Sequence, residues 1–318
     1  MQRQLLILIE IKETNLAFLK DAGFQLHFAV TPAERAAIPA ALAATIDAVL
    51  TNGSTGFEAH EIAAMPRLRI VCALGAGYEK IDLAAAQARG IPVTNGRGAN
   101  DAAVADHALA LLLSAARGIV QNDQVARQGK WGASARIERP TVHGKKLGIL
   151  GLGTIGQQIA RRAAGGFDMV VGYHNRRPVA DSGGNLAYFD SPLALASWAD
   201  FLVVATPGGA ATHHLVNTAV LEALGPQGFL VNIARGSVVD TQALLAALHA
   251  GSIAGAGLDV VEGEPDDMTP DLFQAPNLTL TPHIAGRSPE ALAATVKLAT
   301  ANLLACFEGR PLVTPVTA

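Results

Sequence analysis

Three polar residues follow short apolar runs in the second half of the chain. Arg235 follows VNIA, Glu264 lies in the segment DVVEGEP, and His283 follows LTLTP. An arginine binds carbonyl or carboxylate groups, a histidine exchanges protons, and a carboxylate beside a histidine favours the charged, proton-carrying ring. Each residue alone also fits a structural role, as a helix cap, a loop histidine or a solvated acid. Together they predict proton exchange on a substrate that carries a carbonyl or carboxylate group.

A glycine-rich segment, GLGTIG, lies between the strand-like run KLGIL and the helical pattern QQIARRAA. Gly151 permits a tight turn, Gly153 allows a pyrophosphate to approach the backbone, and Gly156 allows close packing of helix and strand. Thr154 and Ile155 begin the helix, whose free N–H groups and positive end attract phosphate. The pattern predicts a dinucleotide site, with an ordinary strand-to-helix turn as the structural alternative.

The second strand of such a site normally ends in an acid, about twenty residues further on, that binds the ribose hydroxyls. This chain instead has GYHNRRP, in which Asn175, Arg176 and Arg177 occupy that place. A carboxylate would repel the 2′-phosphate of NADP, whereas a guanidinium offers phosphate a bidentate fork and an amide donates without repulsion. We therefore predict a preference for NADPH over NADH. The alternative is that the two arginines only cover a solvated loop.

Short β-branched runs alternate with Ala-rich helical patterns along the whole chain, which is typical of parallel βαβ units. Strands are predicted at 5–10, 26–30, 46–51, 68–74, 91–95, 146–151, 168–173, 200–205, 228–234, 253–260 and 278–282. Helices are predicted at 32–44, from Asp101 to Gln128, and from Pro289 onward with Ser288 as the N-cap. The run of strands restarts after the long helix, and the glycine-rich segment lies in the middle of the chain.

This order predicts an α/β protein with two doubly wound parallel-sheet domains. We expect the domain that carries the glycine-rich segment to be inserted into the first domain. The final helix would then cross back to the first domain.

The composition of the 318-residue chain excludes several classes of function. Half of the residues are hydrophobic and 16% are charged, which favours a packed core over a solvated tail. A net charge of −3 gives no reason to expect a nucleic acid or membrane partner.

Cys72 and Cys306 lie in apolar contexts and are expected to be reduced thiols, and no metal site is predicted. The first apolar run is too short for a signal peptide, so we expect a cytoplasmic protein.

Four segments resemble the D-isomer-specific 2-hydroxyacid dehydrogenases in order and spacing. They are GLGTIG, NIARGSVVD (232–240), GAGLDVVEGEP (255–265) and TPHIAG (281–286). The resemblance extends through VCALGAGYEKIDL, IPVTNGRGANDAAVADHALALLL and Trp131, and so covers most of the chain from about residue 50. It implies a Rossmann-type dinucleotide-binding domain at 99–287, inserted into a flavodoxin-like substrate domain made of 1–98 and 288–318. The two similar domains would clamp the cofactor, with hinges near residues 98 and 287, and the long helix would form a homodimer.

The resemblance also implies roles for the polar residues. Arg235 would bind the keto oxygen and carboxylate of the substrate, and His283 would donate the proton during reduction. Glu264 would be the partner of His283, because the acid of this family directly precedes the proline; Glu262 is therefore set aside. The backbone amides of Gly75 and Ala76 would hold the substrate carboxylate.

Further residues are assigned to the cofactor by the same resemblance. Asp259 would lie near the nicotinamide end. Thr206 and Pro207 would line the adenine side, and Ile233 and Ala234 would lie beside the nicotinamide.

The segment Tyr173-His174-Asn175-Arg176 resembles that of the NADPH-using glyoxylate and hydroxypyruvate reductases. It implies reduction of a small 2-oxo acid to the D-2-hydroxy acid. The chain departs from the family at Arg287 and in a Gly208-Gly209 pair, which leaves the substrate open. A reductase of 2-ketogluconate type, or another D-2-hydroxyacid dehydrogenase, is one alternative, and a non-catalytic dinucleotide-sensing protein is the other.

Overall fold

The computed structural model of the chain describes residues 2–132, 138–179 and 186–316. It divides into two compact units. Unit 1 combines Met1–Asn100 with Gly286–Ala318, and unit 2 is the continuous segment Asp101–Ala285 between them. Unit 1 is thus built from both ends of the chain.

Unit 1 contains a five-stranded parallel sheet in the order β2-β1-β3-β4-β5. Its strands are β1 Arg3–Ile7, β2 Phe24–Phe28, β3 Ala48–Asn52, β4 Ile70–Leu74 and β5 Val93–Thr94. Its helices are α1 Glu13–Asp21, α2 Pro32–Ala36, α3 Ala40–Ala43, α4 Ala59–Ala64, α5 Leu83–Ala88 and α12 Pro289–Phe307. This strand order is that of the flavodoxin-like fold, as predicted.

The last helix, α12, covers one face of the sheet of unit 1. It begins where predicted, because the Ser288 side chain accepts a hydrogen bond from the Ala291 N–H. Its residues Val296, Ala299 and Leu303 are buried in a cluster with residues of β1 and β4. In the described part of the chain, α12 is the one unbroken helix with the length and hydropathy of a membrane span, with 19 residues and a mean hydropathy of 1.3. The packing within unit 1 accounts for that apolar character.

Unit 2 contains a seven-stranded parallel sheet in the order β12-β11-β10-β9-β6-β7-β8. Its strands are β6 Lys146–Leu150, β7 Val170–His174, β8 Ala187–Tyr188, β9 Phe201–Val204, β10 Phe229–Asn232, β11 Gly255–Leu258 and β12 Leu278–Leu280. Its helices are α6 Asp101–Arg117, α7 Ile119–Arg127, α8 Thr154–Phe167, α9 Pro192–Trp198, α10 Thr218–Leu224 and α11 Thr241–Ala250. The order is that of the Rossmann fold with one strand added, as predicted.

Two predicted helices are each divided in two. The helix predicted from Asp101 to Gln128 breaks at Gly118, and α6 and α7 meet there at 60°. Gly118 has a φ of 58°, a left-handed conformation that glycine adopts without a steric cost. The helix predicted at 32–44 breaks before Pro39, which lacks the N–H that a continuous helix needs.

Candidate active site

The carboxyl ends of parallel strands lie at one edge of a sheet, and the predicted site residues of unit 2 all follow its strands. In the spatial order of the sheet, His283 follows β12, Asp259 and Glu264 follow β11, and Arg235 follows β10. The residues predicted to bind cofactor come next: Thr206 and Pro207 after β9, Gly151, Gly153, Thr154, Ile155 and Gly156 after β6, and Asn175, Arg176 and Arg177 after β7. Arg235, Glu264 and His283, called here the polar triad, thus lie toward one end of this sheet edge, and the glycine-rich segment lies toward the other.

His283 and Glu264 are in direct contact. The distance between His283 Nδ1 and Glu264 Oε1 is 2.9 Å. A carboxylate only accepts hydrogen bonds, so Nδ1 of the ring carries the hydrogen and Nε2 is the nitrogen that can exchange a proton. The ring is 43% exposed, which leaves it open to a ligand.

Asp259 fixes the loop that carries this histidine. Its side chain is buried, and its Oδ1 accepts hydrogen bonds from the Thr281 hydroxyl (2.6 Å) and the Ile284 N–H (2.9 Å), while Oδ2 accepts from the Ala285 N–H (2.8 Å). Burial alone would raise the pKa of the Asp259 carboxyl. Hydrogen bonds from His107, Thr281 and the two backbone N–H groups outweigh burial and hold the pKa below its ordinary value. Asp259 is therefore a buried, ionised carboxylate.

Arg235 occupies a turn that is packed tightly against the loop after β11. It precedes the short 3-10 turn Gly236–Val238, and its Nη1 donates to the Ala234 carbonyl at 2.6 Å. The Asn232 side chain donates to the Arg235 carbonyl (3.0 Å) and accepts from the Ala234 N–H (3.0 Å). A Cβ at Gly236 would overlap the backbone of Val261, so only glycine fits there. This contact fixes the turn of Arg235 against the loop of Glu264.

The glycine-rich segment has the shape that a dinucleotide site requires. A Cβ at Gly151 would lie 2.8 Å from the backbone of Ala205 and Thr206, whereas one at Gly153 would meet nothing within 4 Å. The space at Gly153 lies at the start of α8, where no side chain caps the helix. Thr206 Oγ1 is buried and has no hydrogen-bond partner among the described residues. The open approach, the uncapped helix and this unpaired hydroxyl fit a bound dinucleotide.

The segment that replaces the expected acid is held by hydrogen bonds. The Leu152 N–H donates to Asn175 Oδ1 at 2.7 Å, which ties the end of β7 to the glycine-rich turn. Because Oδ1 is engaged, the Nδ2 donor is the part of this amide that remains for a ligand. Arg176 and Arg177 are exposed. Ile233 and Ala234, predicted beside the nicotinamide, are both buried directly after β10.

Gly75 and Ala76 belong to unit 1 and follow β4 directly. The Gly75 carbonyl accepts from the Gly96 N–H (2.6 Å), and the Ala76 carbonyl accepts from the Asn95 side chain (2.8 Å). These bonds fix the orientation of the peptide groups in the turn.

A second histidine–glutamate pair, unassigned by sequence reasoning, lies in unit 2. His214 Nε2 and Glu262 Oε1 are 2.7 Å apart, and Glu262 Oε2 accepts from the Thr241 N–H at 3.1 Å. Burial alone would raise the pKa of Glu262, but its bonds to Thr241 and His214 hold the pKa below its ordinary value. With His213, these residues could in principle surround a metal ion. Both oxygens of Glu262 are already bonded within the protein, so the pair needs no ion to be satisfied.

Residues 109–285 match the family model of the D-isomer specific 2-hydroxyacid dehydrogenase, NAD binding domain. The chain belongs to the D-isomer specific 2-hydroxyacid dehydrogenase family. It is therefore an oxidoreductase with an NAD(P)-binding Rossmann domain, in line with the resemblance seen in its motifs. The matched residues contain the glycine-rich segment and all three residues of the polar triad.

Three relatives of this family illustrate the range of substrates. The hydroxyphenylpyruvate reductase of Plectranthus scutellarioides is 39% identical over 93% of each chain. The 2-ketogluconate reductase of Gluconobacter oxydans is 40% identical over 86% of this chain and 87% of the relative. The crystal structure of the NADPH-dependent glyoxylate/hydroxypyruvate reductase of Sinorhizobium meliloti, in complex with NADP and malonate, superposes with a TM-score of 0.90. It is 36% identical and covers 100% of this chain and 97% of that one.

Proposed function

We propose that this protein reduces a small 2-oxo acid of the glyoxylate or hydroxypyruvate type to the D-2-hydroxy acid, with NADPH as the preferred cofactor. The observation that carries the proposal is the 2.9 Å contact between His283 and Glu264, at the sheet edge to which Arg235 also belongs. A proton donor held by an acid, next to an anion-binding guanidinium, is what reduction of a 2-oxo acid requires.

His283 donates the proton. Its Nδ1–H is held by Glu264, so Nε2 gives its proton to the carbonyl oxygen of the substrate as that oxygen gains negative charge. Glu264 orients the ring through this hydrogen bond, so that Nε2 is the nitrogen directed to the substrate.

Arg235 orients and polarises the substrate. Its guanidinium binds the carboxylate and the keto oxygen, and it stabilises the charge that develops on that oxygen. The bound dinucleotide would supply the hydride that reaches the keto carbon.

The cofactor would be held by the residues after β6, β7, β9 and β10. The glycine-rich turn and the start of α8 receive the pyrophosphate, and Thr206 and Pro207 line the adenine side. Ile233 and Ala234 would lie beside the nicotinamide, with Asp259 near that end. Asn175, Arg176 and Arg177 receive the 2′-phosphate, which supports the preference for NADPH. The NADP complex of the Sinorhizobium relative supports the same choice.

A spectrophotometric screen tests the reaction and the substrate together. Oxidation of NADPH and of NADH is followed with glyoxylate, hydroxypyruvate, pyruvate, phenylpyruvate and 2-ketogluconate. We expect the highest kcat/KM with NADPH and glyoxylate or hydroxypyruvate. A higher kcat/KM with 2-ketogluconate would favour the second candidate, for which the Gluconobacter relative is the supporting observation. Cofactor binding without turnover of any acid would favour a dinucleotide-sensing protein.

The substitution Arg176→Ala tests the assignment of the 2′-phosphate. Loss of one charge-assisted hydrogen bond costs about 1.5–3 kcal/mol, so the KM for NADPH should rise about tenfold or more. The KM for NADH should not change, because NADH lacks the phosphate. Arg161→Ala, which removes an exposed arginine of α8 that bonds to Gln158, is the matched control. An unchanged KM for NADPH in the Arg176 variant contradicts the assignment.

A further inference from the structure

His107 lies on α6, between Asp106 and the apolar run at 108–113, and reaches the site from a distant part of the chain. Its side chain is 20% exposed. The ring nitrogen Nε2 lies 2.9 Å from Thr281 Oγ1 and 3.4 Å from Asp259 Oδ1. The three side chains belong to α6, to the loop after β12 and to the loop after β11, and all lie within unit 2.

The direction of the hydrogen bonds follows from the donors available. Asp259 is ionised and can only accept, so the Thr281 hydroxyl donates its single hydrogen to Asp259 Oδ1. Thr281 Oγ1 can then only accept from the ring of His107. Nε2 of His107 therefore carries a hydrogen, and the chain of donors runs from His107 through Thr281 to Asp259.

Asp259, the last acceptor in this series of hydrogen bonds, bonds to the backbone of His283 and of the two residues that follow it. The backbone carbonyl of Asp259 accepts from the His283 N–H at 2.9 Å. The Asp259 carboxylate accepts from the N–H groups of Ile284 and Ala285, the next two residues. His283 itself has a φ of 53°, a left-handed conformation that is strained for a residue other than glycine. Such a conformation persists only where the surrounding bonds enforce it.

We infer that His107 is a positioning residue for His283, acting through Thr281 and Asp259. The inference rests on the proposed role of His283 as the proton donor. Without the N–H of His107, the buried charge of Asp259 loses part of its compensation, and the Thr281 hydroxyl loses one of the two hydrogen bonds that hold it. The loop that enforces the geometry of His283 then relaxes.

The expected defect lies in turnover rather than in substrate binding. A displacement of about 1 Å can cost up to about a hundredfold in rate. Arg235, the proposed substrate-binding residue, lies on the turn after β10, whereas this series of donors ends in the loops after β11 and β12, so the substrate KM should stay close to its original value. A change confined to kcat is the signature of an interaction that matters in the transition state.

The test compares His107→Phe with His107→Gln. Phenylalanine fills the space of the ring without a donor, whereas the amide of glutamine places an N–H at about the reach of Nε2. We expect His107→Phe to lower kcat about ten- to a hundredfold with a substrate KM within about threefold. The solvent deuterium isotope effect on kcat should also rise, because proton delivery becomes more limiting. His107→Gln should recover most of the lost turnover and the original isotope effect.

A second variant and a double variant complete the experiment. Thr281→Val breaks the same chain of donors while leaving His107 in place, so it gives the same result should the phenylalanine variant fail to fold. His283→Gln alone tests the proposed function, and near-native turnover in that variant would overturn it separately. Adding His107→Phe to His283→Gln should cause no further loss of kcat, because the two act as one unit. Unchanged kcat in folded His107→Phe, a rise of KM alone, or failure of glutamine to restore turnover would each overturn the positioning role.

Discussion

Unit 2 contains two histidine–glutamate pairs whose acids lie in the same loop. The pairs differ in which side-chain atoms have no hydrogen-bond partner in the part of the chain that the structure describes. The acids are two residues apart, and the nitrogen–oxygen distances are 2.9 Å for His283 with Glu264 and 2.7 Å for His214 with Glu262. Exposure does not separate the two rings, at 43% and 35%, and both histidines have a left-handed backbone, with φ of 53° and 49°. The nitrogen–oxygen distance, the exposure of the ring and the backbone φ therefore do not distinguish a reactive histidine from a structural one.

The partners of the remaining atoms do separate the two pairs. Nδ1 of His214 faces Asp240 at 3.8 Å, and both oxygens of Glu262 are bonded. Nε2 of His283, in contrast, has no protein partner within the described residues. A ring with acids at both nitrogens holds two loops together, whereas a ring with one unbonded nitrogen can deliver a proton.

The largest expected effect is a difference in kcat between variants of the two histidines. His283→Gln should lower kcat about 10²- to 10⁴-fold, because glutamine cannot deliver a proton in the transition state. His214→Gln, the matched change in the other pair, should leave kcat within a few-fold. Steady-state kinetics with the preferred acid measure both, and cofactor binding monitored by fluorescence shows that each variant retains its cofactor site. Comparable losses of kcat in the two variants would contradict the assignment of His283, rather than His214, as the proton donor.

A smaller effect on turnover is expected at the acids. Glu264→Gln removes the charge of the acceptor that holds Nδ1–H of His283 but retains an amide oxygen as acceptor. Loss of a charge-assisted bond worth about 1.5–3 kcal/mol corresponds to about ten- to a hundredfold in kcat. Glu262→Gln serves as the control and should stay near the original kcat. A Glu264→Gln enzyme with full turnover would show that the acid does not assist the proton donor.

The smallest expected effect is a change in the free energy of unfolding when the pair of His214 and Glu262 is altered. Glu262→Gln should lower the free energy of unfolding by about 1–2 kcal/mol at pH 7, as the bonds to His214 and Thr241 weaken. The pKa of Glu262 is lower in the folded protein than its ordinary value of 4.5, so its stabilising contribution is complete above that value. The contribution is lost as the pH falls through the lowered pKa. Urea unfolding at pH 7 and at about pH 3.5 should therefore show a narrower gap between the two proteins in acid; an equal or wider gap would contradict this account.

The sequence was sufficient for the features that depend on local pattern. The strand runs, the Ser288 cap and the glycine-rich turn follow from periodicity, capping chemistry and backbone geometry, and the family motifs placed Glu264 rather than Glu262 beside His283. The contacts of His107, Gly236 and His214 were not predicted, because each depends on distances between residues far apart in the chain. His107 stands beside Asp106 at the edge of an apolar run of α6, and that position does not indicate which residues its side chain contacts. The break at Gly118 was missed because an isolated glycine is also tolerated within a helix.

The return of α12 to unit 1 sets the order in which the two units can be completed during synthesis. Unit 2 is one continuous segment, so its core can close as soon as residue 285 has left the ribosome. The sheet of unit 1 has to wait for α12, because Val296, Ala299 and Leu303 are buried in one cluster with residues of β1 and β4, two strands that come far earlier in the chain. Such long-range closure is slow, and meanwhile the uncovered apolar face of β1 and β4 is available to chaperones and to other nascent chains. A chain truncated before residue 289 should therefore aggregate through unit 1 even though unit 2 has all of its own residues.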